Sequence, residues 1–125
     1  MANASTPFGA ILRNATTPLP NAVGIAFAAG DGELVDSWSV WDDDQWAFLI
    51  AHIGIVSNHV RSALHTFHFG DVEWVYLSFS TLDVLAQQVG DQYFVVLAAA
   101  APMDLACAEP ALQSAVNQIR QEMFA

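Results

Sequence analysis

Apolar and polar positions divide the chain into stretches of period two, stretches of helical spacing, and one run that is apolar almost throughout. That run, Tyr93-Phe94-Val95-Val96-Leu97, follows Leu82–Val89 across a Gly90-Asp91 turn. A strand covered on one face alternates, whereas a strand covered on both faces becomes continuously apolar. The segment Leu82–Ala101 therefore predicts a hairpin whose last strand lies in the middle of a sheet. Upstream, Ala22–Ala29 reads as a strand, Gly30-Asp31-Gly32 as a tight turn, and Glu33–Trp41 as the returning strand. In that strand Leu34, Asp36, Trp38 and Val40 alternate with Val35, Ser37, Ser39 and Trp41, which makes it less buried than its partner. The run Val72–Ser80 also alternates, with Glu73, Val75, Leu77 and Phe79 on one face and Val72, Trp74, Tyr76 and Ser78 on the other. Both faces carry large rings, so both are expected to be covered.

Helical spacing dominates elsewhere. From Gln45 to Phe67, the residues Trp46, Leu49, Ile53, Val56, Val60, Leu64 and Phe67 recur at intervals of three and four, a face expected to pack on the sheet. Asp42-Asp43-Asp44 precedes it as an N-cap cluster, where carboxylates accept from free N–H groups and suit the positive end of the helix dipole. A second stripe, Phe48, Ala51, His52, Ile55 and His59, keeps the same spacing on another face. Arg61 is the one residue of fixed charge in this helix, too little for an ordinary solvent-facing side, so something else is expected to cover it. Near the C-terminus, Glu109-Pro110 reads as a helix start with proline at the first position, and Leu112, Val116, Ile119 and Met123 as its apolar stripe. Phe8–Ala15 predicts a short first helix, ended by Thr16-Thr17-Pro18-Leu19-Pro20 and preceded by a mobile lead-in at residues 1–7.

The order is helix, strand, strand, long helix, strand, strand, strand, helix. It predicts an α+β fold: a five-stranded antiparallel sheet sandwiched between the long central helix and the terminal helices. At 125 residues and 54% hydrophobic content the chain supports one core, with residues 1–20 forming the lead-in and short helix and 21–125 the domain proper. No stretch supplies the roughly 20 apolar residues of a membrane span. The N-terminus lacks a basic segment followed by a hydrophobic core, which argues against a secretory signal and for a cytoplasmic protein.

Charge narrows the partners. Thirteen Asp and Glu face three arginines, Arg13, Arg61 and Arg120, and no lysine, for a net charge of −10. Phosphate-backbone binding needs several clustered cations, so nucleic acid is excluded as a partner, and anionic membrane surfaces are disfavoured. A basic patch on a protein would be attracted.

Candidate chemistry is sparse. His52 and His59 share a helix face and His65 and His68 lie three apart, but no carboxylate or thiolate is marked to join them, so interfacial or capping histidines are expected and no metal site. At a dimer seam they would make association pH-sensitive. Asp42–Asp44 lacks the loop ligands of a cation site. No nucleophile elbow, phosphate loop or zinc-protease pattern is present, and no cofactor is implied. Cys107, among Leu105, Ala106 and Ala108, is expected to be a small buried or half-buried side chain rather than a reactive thiol. Trp38 and Trp41 lie on the strand nearer an edge, where large rings could anchor a partner, although such rings more often cover their own sheet.

With this order come local features: Val23-Gly24 entering the first strand, the Gly30-Asp31-Gly32 hairpin, the nearly uncharged long helix, and Val89-Gly90-Asp91 leading into Tyr93–Val96. Together, over Asn21–Phe124, they resemble the Roadblock family of dynein light chains and bacterial or archaeal GTPase regulators, a Roadblock/profilin-like architecture. The short, proline-rich first helix departs from the pattern. The resemblance implies a homodimer, or a heterodimer with a related Roadblock protein, in which long helices pack side by side and third strands join two sheets. Phe48, Ala51, His52, Ile55, His59, Trp74 and Tyr76 would line that interface, and Trp38 and Trp41 a partner surface. It further implies a non-enzymatic adaptor or regulator of a Ras-like small GTPase, or a scaffold. An acidic dimeric chaperone and a small-molecule-sensing module are the alternatives.

Overall fold

In the computed structural model, which describes residues 6–124, the strands are β1 (Ala22–Ala29), β2 (Leu34–Ser39), β3 (Trp74–Ser78), β4 (Leu82–Val89) and β5 (Tyr93–Ala100). Helix α1 (Pro7–Thr16) precedes them and α2 (Asp43–Leu64), prolonged by a 3-10 turn at His65–Phe67, connects β2 to β3. Helix α3 (Leu105–Met123) follows β5. The strands form one antiparallel sheet in the spatial order β2-β1-β5-β4-β3, so the continuously apolar strand is central, as its composition requires.

Alternate residues of each strand feed two cores. On one side Ile25, Phe27, Leu85, Val95 and Leu97 pack against Leu12 of α1 and Leu112, Val116 and Ile119 of α3. On the other, Ala26, Ala28, Ala86, Phe94 and Val96 pack against Trp46, Ile50 and Ile53 of α2. The second side is rich in alanine, which lets the long helix approach closely. A Cβ on Gly24 would stand 2.7 Å from Trp46 Cη2, so glycine there makes room for the indole. At Gly32, φ is +91° and a Cβ would stand 2.7 Å from Ala51 Cα, so the β1–β2 turn can lie on the middle of α2 only with glycine. Asn58 Nδ2 donates to the Gly30 carbonyl at 3.0 Å and fastens the same turn.

Helix α1 forms where Phe8–Ala15 predicted it, with one residue more at each end. Pro7, placed by sequence in the lead-in, is its first residue; of that lead-in, residues 1–5 lie outside the described residues. Phe8 meets Phe27 edge to face at 5.0 Å, the Arg13 guanidinium lies 5.2 Å over the Trp38 ring, and the Thr6 hydroxyl donates to the Asp36 carboxylate, so α1 shares its core with the strands.

Four local expectations are corrected. Strand β2 stops at Ser39 rather than Trp41, because Ser39 Oγ donates to the Val23 carbonyl at 3.1 Å and accepts from the Trp41 N–H at 3.0 Å, turning the chain toward α2. Helix α3 begins at Leu105, not at Pro110, which therefore sits inside it. Its ring removes the bond to the carbonyl of Ala106, an exposed residue whose oxygen water can serve. Because α3 starts early, Cys107 lies on the outer side of the first turn and is exposed, while Ala108 and Leu112 point inward. A hydrogen bond to Asp104 and that carboxylate's charge push its pKa up, which disfavours the thiolate. Finally, the α2 face on the sheet is Trp46, Ile50, Ile53, Gly54 and Ser57, with Leu49 half-buried, whereas Val56, Leu64 and Phe67 are exposed. A helix of 22 residues is about 33 Å long and overshoots the sheet, so Leu64, seven residues beyond Ser57 on the same side, has nothing beneath it.

Candidate interaction surface

Asp42 caps α2, its carboxylate accepting from the Gln45 N–H at 3.1 Å, with Asp43 and Asp44 in the first turn as expected. From that start the spacing of four, three and four places Phe48, His52, Ile55 and His59 in one line on the side away from the sheet, all exposed. Phe48 is 69% exposed and Ile55 52%, values far above those of apolar side chains in a covered position. The Phe48 and His52 rings lie 4.4 Å apart, and His52 Nδ1 donates to the Phe48 carbonyl at 2.8 Å, which fixes the imidazole on the surface with Nε2 outward. Ala51 flanks this line and is half-buried beneath the Gly32 turn. At the C-terminal end of α2 Val56, Leu64, Phe67 and Phe69 are exposed as well; the rings of Phe67 and Phe69 stack at 5.5 Å, and Phe69 is 80% exposed. Exposed apolar side chains in this number mark a candidate interaction surface.

Strand β3 is an edge of the sheet, with one row of backbone groups unpaired. Val75 and Leu77 pack toward α2, and Trp74 toward the core of α1 and α3. Trp74 and Tyr76 thus lie on the opposite face of the sheet from the Phe48–His59 line, and the structure does not bring the two sets together. Tyr76 is tied down instead: its hydroxyl donates to Asp83 Oδ2 at 3.0 Å, Ser78 Oγ donates to Oδ1 at 2.8 Å, and the Met103 N–H donates to Oδ2 at 2.8 Å. Asp83 is 2% exposed, and these donors, Met103 first and Ser78 next, hold its carboxyl below the ordinary value of 3.8 against the opposing effect of burial. Unfolded chains therefore bind the proton more readily, and the stability this group contributes is present above the ordinary carboxylate value and lost as pH falls through its lower folded value. Asp83→Asn is expected to lower the melting temperature at pH 7 and to flatten its dependence on pH below about 4, measured by calorimetry across an acid series.

The four histidines do not converge: the rings of His65 and His68 are 6.4 Å apart, and among the described residues no group of three or more His, Cys, Asp or Glu is placed to hold a metal ion. No described helix is long and apolar enough to cross a membrane. No family profile matches the sequence, and no curated protein is similar to it. Solved structures, by contrast, superpose closely. A Roadblock/LC7 domain from Streptomyces avermitilis matches with a TM-score of 0.85 at 17% identity over 94% of this chain and 98% of that one. MglB from Myxococcus xanthus gives 0.85 at 11% identity, over 97% and 98%. An MglB with a tetrameric arrangement gives 0.80 at 7% identity, over 96% and 93%. The chain has the Roadblock/LC7 fold.

In this Roadblock-fold chain Trp38 of β2 and Trp41, just beyond its end, pack toward opposite cores. Trp38 packs toward α1 under Arg13, and Trp41 meets Trp46 edge to face at 6.1 Å; both are half-buried by their own helices. Sequence reasoning found the Phe48–His59 line from its spacing. It missed Phe69, which belongs to no periodic segment, and Asp83, whose three donors come from β3 and from Met103 in the connection that precedes α3.

Proposed function

We propose that this Roadblock-fold chain is a dimeric adaptor or regulator without catalytic residues of its own, which pairs with itself or a related Roadblock protein and binds a Ras-like small GTPase or scaffolds a complex in the cytoplasm. The observation that carries the reading is the uncovered apolar line Phe48–Ile55 on a long helix whose opposite side packs on the sheet through Trp46, Ile50 and Ile53. A second copy covers it most economically, because the same line on two antiparallel or crossed helices is self-complementary about a two-fold axis. The tetrameric arrangement of the MglB of like fold supports self-association, and the edge position of β3 supports pairing of third strands.

The GTPase partner rests on the family resemblance together with the acidic surface, which attracts a basic face. An inserted arginine finger is not part of this reading. Arg13 stacks on Trp38, Arg61 lines a recess of about 700 Å³ between the end of α2 and the approach to β3, and Arg120 lies on α3. The regulator would instead reposition the switch residues of the GTPase.

Light scattering at low micromolar concentration tests the reading first. A mass near twice 13.5 kDa is expected; a stable monomer at that concentration refutes self-assembly. Binding of a small GTPase that differs between its GDP and GTP forms separates a regulator from a chaperone, which would hold an extended peptide whatever the nucleotide.

A further inference from the structure

On the α1/α3 side, α3 roofs the sheet only as far as β4, and the floor beyond is left open. Two adjoining cavities of about 390 and 380 Å³ lie along this margin, sharing Gln113 of α3. Trp74 and Gln87, register partners across β3 and β4, line one each. Gln87 is 6% exposed. Its Nε2 donates to Gln113 Oε1 at 2.8 Å, and Gln113 Nε2 donates onward to Asn117 Oδ1 at 3.0 Å. Each amide thus spends one N–H along a chain toward solvent, and Gln87 Oε1 is left buried without a partner. Buried acceptors are rarely left so, and an orphan of this kind calls for a donor from outside. Gln113 is half-buried on the helix surface and bonded to an exposed neighbour, so its side chain can swing aside and open the path to Gln87.

The surroundings specify the donor. Asp71, Glu73 and Asp91 rim one cavity and Glu109 the other, against Arg120 alone, on a chain of net charge −10. The half-buried Trp74 ring offers a π-face to a cation. We propose that this groove binds an extended, lysine- or arginine-bearing segment of a partner protein, one basic side chain crossing Trp74 and donating to Gln87 Oε1 while its neighbours meet the carboxylate rim. Every residue that lines the groove belongs to one chain.

The test is a titration of the full ¹⁵N-labelled chain with a peptide of alternating lysine and threonine, a matched glutamate–threonine peptide, and spermine. The lysine peptide is expected to shift the Trp74 indole and the Gln87 and Gln113 side-chain amide resonances saturably. The glutamate peptide should leave them in place, and spermine should bind at least several-fold more weakly. Gln87→Leu, which keeps the volume and removes the orphan, should weaken the lysine peptide about three- to tenfold. Glu73→Gln, on an exposed residue, should weaken it by a similar factor and guards against a Gln87 variant that folds poorly. Absence of binding, shifts spread evenly over the acidic surface, spermine binding as tightly as the peptide, or affinity untouched by Glu73→Gln would each overturn the proposal.

Discussion

Ile55→Glu is expected to convert the proposed dimer into a folded monomer of 13.5 kDa. Ile55 lies in the centre of the line Phe48, His52, Ile55, His59 and touches none of the two cores, so within one chain the substitution replaces an exposed apolar residue by a good helix former. In a two-fold assembly it acts twice. Two isoleucines lose roughly 1.5–3 kcal/mol of burial each, and two carboxylates are brought into an apolar seam at a cost of several kcal/mol per charge. The sum exceeds ~6 kcal/mol, more than four orders of magnitude in dissociation constant. Sedimentation and circular dichroism should therefore show half the mass with unchanged helix content. Gln118→Glu, which adds the same charge on the exposed side of α3, should leave the mass as it was. A dimeric, folded Ile55→Glu protein would mean that the uncovered face of α2 is not the seam.

Why this face could be read from sequence, while other parts of the surface could not, follows from the range of the forces that shape each. Strand β5 declared its central place through residues adjacent in sequence, and the Gly30–Gly32 turn through backbone freedom that only glycine supplies. The Phe48–His59 line was legible because helical spacing alone fixes which residues share a side. Periodicity does not say where the sheet ends. By spacing Leu64 falls on the buried face, although it belongs to a turn of α2 that projects past the strands. Pro110 misled in a similar way: proline favours a first turn, but nothing forbids it slightly further in where the orphaned carbonyl meets water. The Asp83 cluster and the Gln87–Gln113–Asn117 chain are joined across 20 and 26 residues of sequence, and no local pattern announces such contacts. Cys107, expected to be buried or half-buried, is exposed because α3 starts before Pro110, and its thiol pKa is raised by Asp104, three residues away.

The two-core arrangement leads to the other large effect. Phe27 is 1% exposed and stands where α1 meets the sheet, with Phe8 at 5.0 Å on one side of its ring and Tyr93 at 5.3 Å on the other. Phe27→Ala removes the whole ring from a fully buried site in this cluster and is expected to cost about 3–5 kcal/mol. Against a total of roughly 5–15 kcal/mol for a domain of this size, that is a fall in melting temperature of ten degrees or more, measured by calorimetry. Phe8→Ala, on a half-buried ring of the same cluster, should cost distinctly less. The sheet separates this core from the one beneath α2, where β1 contributes Ala26 and Ala28 rather than Phe27. Below its lowered melting point the Phe27→Ala protein should therefore keep the mass of the parent, whereas Ile55→Glu changes mass and spares the fold. Stability and assembly then separate onto opposite faces of one sheet, and loss of the dimer in Phe27→Ala at a temperature where the chain is still folded would show that they do not.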